Sequence, residues 1–186
     1  MAIRNLPKKT LWFFLSDFDG VLTDNSVYLN RFGQEFVKCS RADGLGIQML
    51  KNANQLGIVN LEMGILSTEK NRVVKARAKK LGLKCYYGID SKYNFLKNEY
   101  FPNFNLTAAE GFKKLIYLGN DINDLNVIKH AKVSIVPGDS HPLIQQNASF
   151  VIDSKFGGNG FVREVIERLL GPKNLKLLYE SIDSNP

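Results

Sequence analysis

An apolar run that stops abruptly on two acids constrains this chain more than any other feature. In "FFLSDFDGVLTDN", residues 13–25, a stretch fit for a buried strand ends in Asp17 and Asp19, with Gly20 directly after. Residues i and i+2 of a strand point the same way, so these two carboxylates would share one side if the strand continued. Two close carboxylates repel, and one takes up a proton unless a cation or a hydrogen-bond donor compensates. Oxygen ligands of this kind suit a hard cation, Mg²⁺ being the usual one. A turn carrying two solvated acids is the plainer account, because Asp and Gly both favour turns.

The rest of the chain decides between these accounts. Short β-branched runs at 11–16, 59–66, 83–86, 115–118, 133–136 and 150–152 alternate with helical patterns at 44–56, 69–81, 92–101, 123–130 and 160–170. Strands alternating with helices imply βαβ units. The expected fold is α/β: a Rossmann-like, doubly wound parallel sheet with helices on both faces. Phe161, Val162, Val165, Ile166, Leu169 and Leu170 form one apolar stripe at helical spacing, and Gly171-Pro172 should stop it. Residues 26–40 break the rhythm. They alternate about "RFGQ", which predicts a β-hairpin projecting from the sheet with Gly33 at its turn. Such a ribbon is marginal alone, so it should pack on something, another subunit included. With 186 residues, 44% of them hydrophobic, the expectation is a single domain over 1–186, with a tail from about 171.

Several classes of function fall away. No apolar run reaches bilayer length. The basic start and apolar run of residues 1–20 lead into acids rather than a small-residue cleavage site, and so read as a core strand. Cys39 and Cys85 make no disulfide framework and point to a reducing, cytoplasmic setting. The net charge of +7, from 25 basic and 18 acidic residues, favours anionic partners, but the lysines are scattered as on solvated faces. His130 and His141 are isolated and read as surface or capping residues.

Three further pieces stand at the ends of candidate strands. "ILSTEKN" places Ser67 and Thr68 where a helix should begin, giving hydroxyls and free amides for an anion, or simply an N-cap. "GIDSKYNF" sets Lys92 early in the next helix, a cation for an anionic substrate or an ordinary exposed lysine. "YLGNDINDL" gives Asn120, Asp121, Asn123 and Asp124, a dense set of hard oxygen ligands or acids at a helix start.

In this order the four pieces resemble the haloacid dehalogenase superfamily of phosphatases. The resemblance implies Mg²⁺ and a set of roles. Asp17 would be the nucleophile, and Asp19 the general acid and then base. Ser67, with Thr68, would bind the phosphoryl oxygens, while Lys92 would neutralise them and steady Asp17. Asn120 falls where the superfamily usually has its third metal-binding acid. It is a departure, since an amide binds Mg²⁺ more weakly than a carboxylate. Asp124 stands in the supporting position, and Asp121 or Asp124 is available to the metal directly or through water.

There is no room for a cap domain, since only the hairpin separates Asp17 from the first helix. The chain is similar to the capless group of 3-deoxy-D-manno-octulosonate 8-phosphate phosphatases and sialic-acid-type nonulosonate 9-phosphate phosphatases. The carriers are "DFDGVLTDN", the hairpin, "RADGLGIQML", "ILSTEKN", "DSHPLI" and "GGNGFVREVIERLL". This resemblance implies a homotetramer whose hairpins pack together, and a small phosphorylated sugar acid as partner. Octulosonate phosphatases generally read Thr-Gly-Arg where this chain has Ser67-Thr68-Glu69, and tend to have Arg at Asn159. The nine-carbon substrate is therefore preferred here and the octulosonate is the alternative. Glu69, Arg77 and Lys80 can share one stripe of the helix expected over 69–81, as specificity residues or as ordinary charge patterning. A polynucleotide phosphatase and a non-catalytic regulatory domain, the latter motivated by Asn120, are the remaining readings.

Overall fold

The computed structural model describes residues 10–183; residues 1–9 and 184–186 of the expected single domain lie outside the described part. Six parallel strands form one sheet: β1 (Trp12–Ser16), β4 (Leu61–Leu66), β5 (Lys84–Tyr86), β6 (Leu115–Leu118), β7 (Val133–Pro137) and β8 (Phe150–Ile152), in the order β5-β4-β1-β6-β7-β8. The strands β2 (Thr23–Leu29) and β3 (Glu35–Cys39) pair antiparallel as a separate hairpin. Without those two, the sheet order is 3-2-1-4-5-6, that of a doubly wound fold. Its ligand crevice lies beyond the carboxyl ends of the strands, where the winding reverses beside β1.

The core has two layers because side chains alternate along each strand. Phe14, Ile65, Ile116 and Leu118 pack on one face, with α1 (Arg41–Gln55), α2 (Arg72–Leu81) and α7 (Phe161–Asp183). Phe13, Leu15, Leu66, Leu115 and Tyr117 pack on the other. That face is covered by α3 (Lys92–Phe95), which continues as a π-helical turn through Tyr100, and by α4 (Ala108–Phe112) and α5 (Leu125–His130). Ile144 of α6 (Pro142–Asn147) belongs to the same layer. Among the described residues no cap domain is inserted, and no helix is long and apolar enough to cross a membrane.

Four expectations are corrected. The helix expected from residue 69 begins at Arg72, because Asn71 is its N-cap and the Glu69 carboxylate accepts the amides of Lys70 and Asn71 in the preceding loop. Glu69 therefore lies off the helix and shares no helical stripe with Arg77 and Lys80. Gly171 does break the last helix, at φ 71°, but helix resumes at Pro172 and runs to Asp183. The hairpin starts earlier than residue 26, at Thr23, with an irregular register between Thr23 and Val27. Finally, α4 and α6 occupy segments where no helix was expected. A Thr107–Glu110 capping box starts α4, a pattern that is present in the sequence.

Candidate active site

The strand β1 ends at Ser16, and Asp17 opens the turn that follows. The Asp17 amide still donates to the Leu118 carbonyl at 2.8 Å, so the carboxylate is fixed at the shared tip of β1 and β6. In the parallel register Ser16 lies opposite both Ile65 and Leu118. Asp17, Ser67 and Asn120 thus leave three adjacent strands at the same end of the sheet. Asp19 lies beyond the strand, half-buried, and its carboxylate accepts the Thr23 hydroxyl at 3.2 Å.

At the centre is a buried charge triangle. Lys92, the first residue of α3 and 1% exposed, donates to Asp17 Oδ2 at 2.8 Å and to Asp124 Oδ1 at 2.7 Å. Both carboxylates are buried too, and one ammonium shared between them offsets only part of their desolvation, leaving an excess of negative charge at the site. Burial raises the Asp17 carboxyl to about 7; Lys92 opposes this, while the nearby Asp124 charge adds to it. Burial works against the Lys92 ammonium, but Asp17 and Asp124 outweigh it and hold its pKa above the usual lysine value.

Asp124 is fully engaged within the protein. Its Oδ1 accepts from Lys92 and from the Tyr117 hydroxyl at 2.6 Å. Its Oδ2 accepts the Asn120 amide at 2.9 Å and the Asp121 amide at 3.4 Å. Asp121 is exposed and caps Ile122. Asn120 differs from both: it is 6% exposed, and among the described residues its buried Oδ1 has no hydrogen-bond partner. Among the described residues no three His, Cys, Asp or Glu side chains converge as a metal site. The fit to a cation rests instead on a high-pKa carboxylate, Asp17, and this orphaned amide oxygen. Both are conditions that an adjacent cation relieves.

Gly20 makes room for the arrangement. A Cβ there would stand 1.9 Å from Asn120 Nδ2, and φ is +71°. Behind the same turn lies the "GGNG" segment. Cβ atoms on Gly157 and Gly158 would fall 2.2 Å from the Gly20 carbonyl oxygen and 2.5 Å from the Asp24 amide nitrogen. The Gly158 amide donates to Val21. The segment is therefore a backbone buttress for the Asp19 turn, and Asn159 itself is exposed. Asp43, buried in the first turn of α1, locks the buttress by accepting the amides of Gly160 and Arg163 at the start of α7. Its "RADG" context carried no sign of that role.

The rim is looser. The Ser67 hydroxyl accepts the Glu69 amide, and Ser67 precedes a loop rather than standing at a helix start. Thr68 is tied across the site by Asn123 Nδ2 at 3.2 Å. Burial raises the Asp19 pKa, the Thr23 hydroxyl lowers it, and the Glu69 charge raises it again. Arg77 turns to the Ser40 carbonyl at 3.0 Å, while Lys80 is exposed. His141 caps α6, and His130 bonds the Asn126 carbonyl within its own helix.

A doubly wound sheet whose first strand tip bears an aspartate paired with a buried lysine, with no cap inserted among the described residues, is the arrangement of the capless group of the haloacid dehalogenase superfamily. No family model matches the chain. It is 30% identical over 154 residues to the 3-deoxy-D-manno-octulosonate 8-phosphate phosphatase KdsC of Salmonella typhi, covering 83% of this chain and 76% of that one. A crystal structure of a 3-deoxy-D-manno-octulosonate 8-phosphate phosphatase from Moraxella catarrhalis, in complex with magnesium ion, phosphate ion and KDO, is 28% identical. It has a TM-score of 0.78 and covers 96% of this chain and 95% of that one. A Streptomyces avermitilis protein assigned to the HAD family hydrolases is 34% identical with a TM-score of 0.78, each chain covered to 91%. The chain belongs to the KdsC/YrbI family of capless haloacid dehalogenase phosphatases.

Proposed function

We propose that this chain is a Mg²⁺-dependent phosphomonoesterase that hydrolyses a phosphorylated sugar acid through an aspartyl phosphate on Asp17. The observation that carries the reading is the buried Asp17–Lys92–Asp124 triangle beside the partnerless Asn120 Oδ1. Asp17 and Asn120 would hold the cation, which supplies charge neutralisation between the carboxylate and a phosphate dianion. The Asp17 carboxylate attacks phosphorus while Asp19, whose raised pKa suits it to carry a proton, gives that proton to the departing alkoxide. Asp19 then takes a proton from water, and the water oxygen displaces Asp17 from phosphorus. Lys92, Ser67 and Thr68 hold the phosphoryl oxygens through these steps, since phosphoryl transfer depends chiefly on positioning and charge.

The substrate order reached from sequence is reversed. KdsC relatives act on the eight-carbon acid, so 3-deoxy-D-manno-octulosonate 8-phosphate takes first place. The nine-carbon 9-phosphate stays as a second reading because Glu69 stands where the octulosonate pattern generally has Arg. Assembly as a homotetramer through the hairpin belongs to the proposal, supported by exposed Val27, Tyr28, Leu29, Phe32 and Phe36. A cytoplasmic setting is supported by the free Cys39 and Cys85.

The test is phosphate release with Mg²⁺ from the eight- and nine-carbon phosphates, with Asp17→Asn as the blank. Preference for the octulosonate supports the first reading and preference for the nonulosonate the second. Release from neither sinks both.

A further inference from the structure

Tyr117 is a buried phenol that the mechanism above does not use. It lies on β6, and its neighbours Ile116 and Leu118 face the opposite layer. A phenylalanine would fill the same space in the apolar layer to which Tyr117 belongs. The hydroxyl is fully buried and would be costly there without a partner. It has one partner, Asp124 Oδ1 at 2.6 Å, the oxygen that also accepts from Lys92. Burial holds the phenol far above its ordinary pKa, and the Asp124 and Asp17 charges add to this, so it is a permanent donor.

The ammonium of Lys92 lies between two carboxylate oxygens at nearly equal distances, 2.8 Å to Asp17 and 2.7 Å to Asp124. Besides meeting the phosphoryl oxygens, it steadies Asp17 through this contact. Asp124 competes for that contact, and the strength of the competition depends on how much of its negative charge is met elsewhere. The Asn120 and Asp121 amides meet Oδ2, and among the described residues only Tyr117 shares Oδ1 with the lysine. We propose that Tyr117 is a positioning residue: by donating to Asp124 Oδ1 it keeps Lys92 shared with Asp17 instead of drawn to Asp124. It touches neither substrate nor cation. The inference rests on the phosphatase reading above.

The test compares wild type with Tyr117→Phe, using p-nitrophenyl phosphate and Mg²⁺ as the probe and 3-deoxy-D-manno-octulosonate 8-phosphate beside it. The expected result is a melting temperature within a few degrees of wild type, kcat lowered about three- to tenfold, and KM within twofold for both substrates. A ¹⁵N spectrum of the lysine ammonium groups should show the Lys92 signal displaced in Tyr117→Phe, a readout independent of turnover. The loss in kcat should vanish when the change is made in Asp124→Asn, because the hydroxyl acts only through that carboxylate. An unchanged kcat and an unmoved Lys92 signal would overturn the inference while leaving the phosphatase reading intact. A lower melting temperature with full kcat would also overturn it, since that is what filling space alone predicts. No turnover by wild type on either substrate would overturn the phosphatase reading and this inference with it.

Discussion

The tip of β1 and the segment from Glu69 to Lys80 differ in burial and in what holds their side chains. At the tip, Asp17, Lys92 and Asp124 are buried, mutually bonded and braced by backbone from Gly20, Gly157 and Gly158. On the rim, Glu69 and Lys80 are exposed, and Arg77 bonds a carbonyl of its own chain. Burial makes the tip specify one arrangement, because an unpaired charge there is intolerable. Solvent lets the rim vary at little cost. The proposed chemistry thus sits on buried, mutually bonded side chains, while the proposed specificity residues are exposed or, for Arg77, bonded to a backbone carbonyl.

The sharpest way to break this contrast is Asp17→Asn. Turnover should fall by about 10³ or more, the order expected on removing a covalent nucleophile. Without Mg²⁺ the same variant should be more stable near neutral pH. The folded state holds the Asp17 proton up to about 7 and the unfolded chain releases it near 3.8, so wild-type stability declines as pH rises through that window. Melting curves of both proteins from pH 4 to 8 should diverge as pH rises, and parallel curves would contradict the assignment.

Lys92→Met comes next. It leaves two buried carboxylates without their cation, and should cost about 3–5 kcal/mol, read by urea unfolding near neutral pH. The equivalent exposed change, Lys80→Met, should cost under about 0.5 kcal/mol.

Gly20→Ala probes the seam of the tip. Its Cβ must displace the Asn120 amide, so the Mg²⁺ concentration for half-maximal activity should rise about tenfold, with the fold retained by circular dichroism. An unchanged Mg²⁺ requirement would remove Asn120 from the cation site.

The smallest effect belongs to the rim. Glu69→Ala should change KM for the sugar-acid phosphate by tenfold or less and leave kcat for p-nitrophenyl phosphate near wild type. A large loss of kcat on that small substrate would show that the rim serves the chemistry itself.

This contrast also explains what the sequence discloses. The strands carrying Asp17, Ser67 and Asn120 are plain because β-branched and apolar runs between turn residues have few other uses. Lys92 is legible only through its position in a four-part order, since a lone lysine after Ser91 looks exposed; in the fold it is 1% exposed. The start of α2 is misjudged because Ser67 and Asn71 both offer capping groups, and the chain uses the second. The buttress is missed because two glycines signal flexibility as readily as close backbone approach. Asp43 and Tyr117 are missed for another reason. Their partners lie far along the chain or beyond the end of a strand, and no local pattern records such a contact.

The most direct measurement is acid quenching of the enzyme during steady-state turnover with Mg²⁺, followed by peptide mass mapping. The account predicts a phosphoryl group on the peptide containing Asp17, absent from Asp17→Asn. Steady phosphate release with that peptide unmodified, or with the phosphoryl group on another residue, would contradict it.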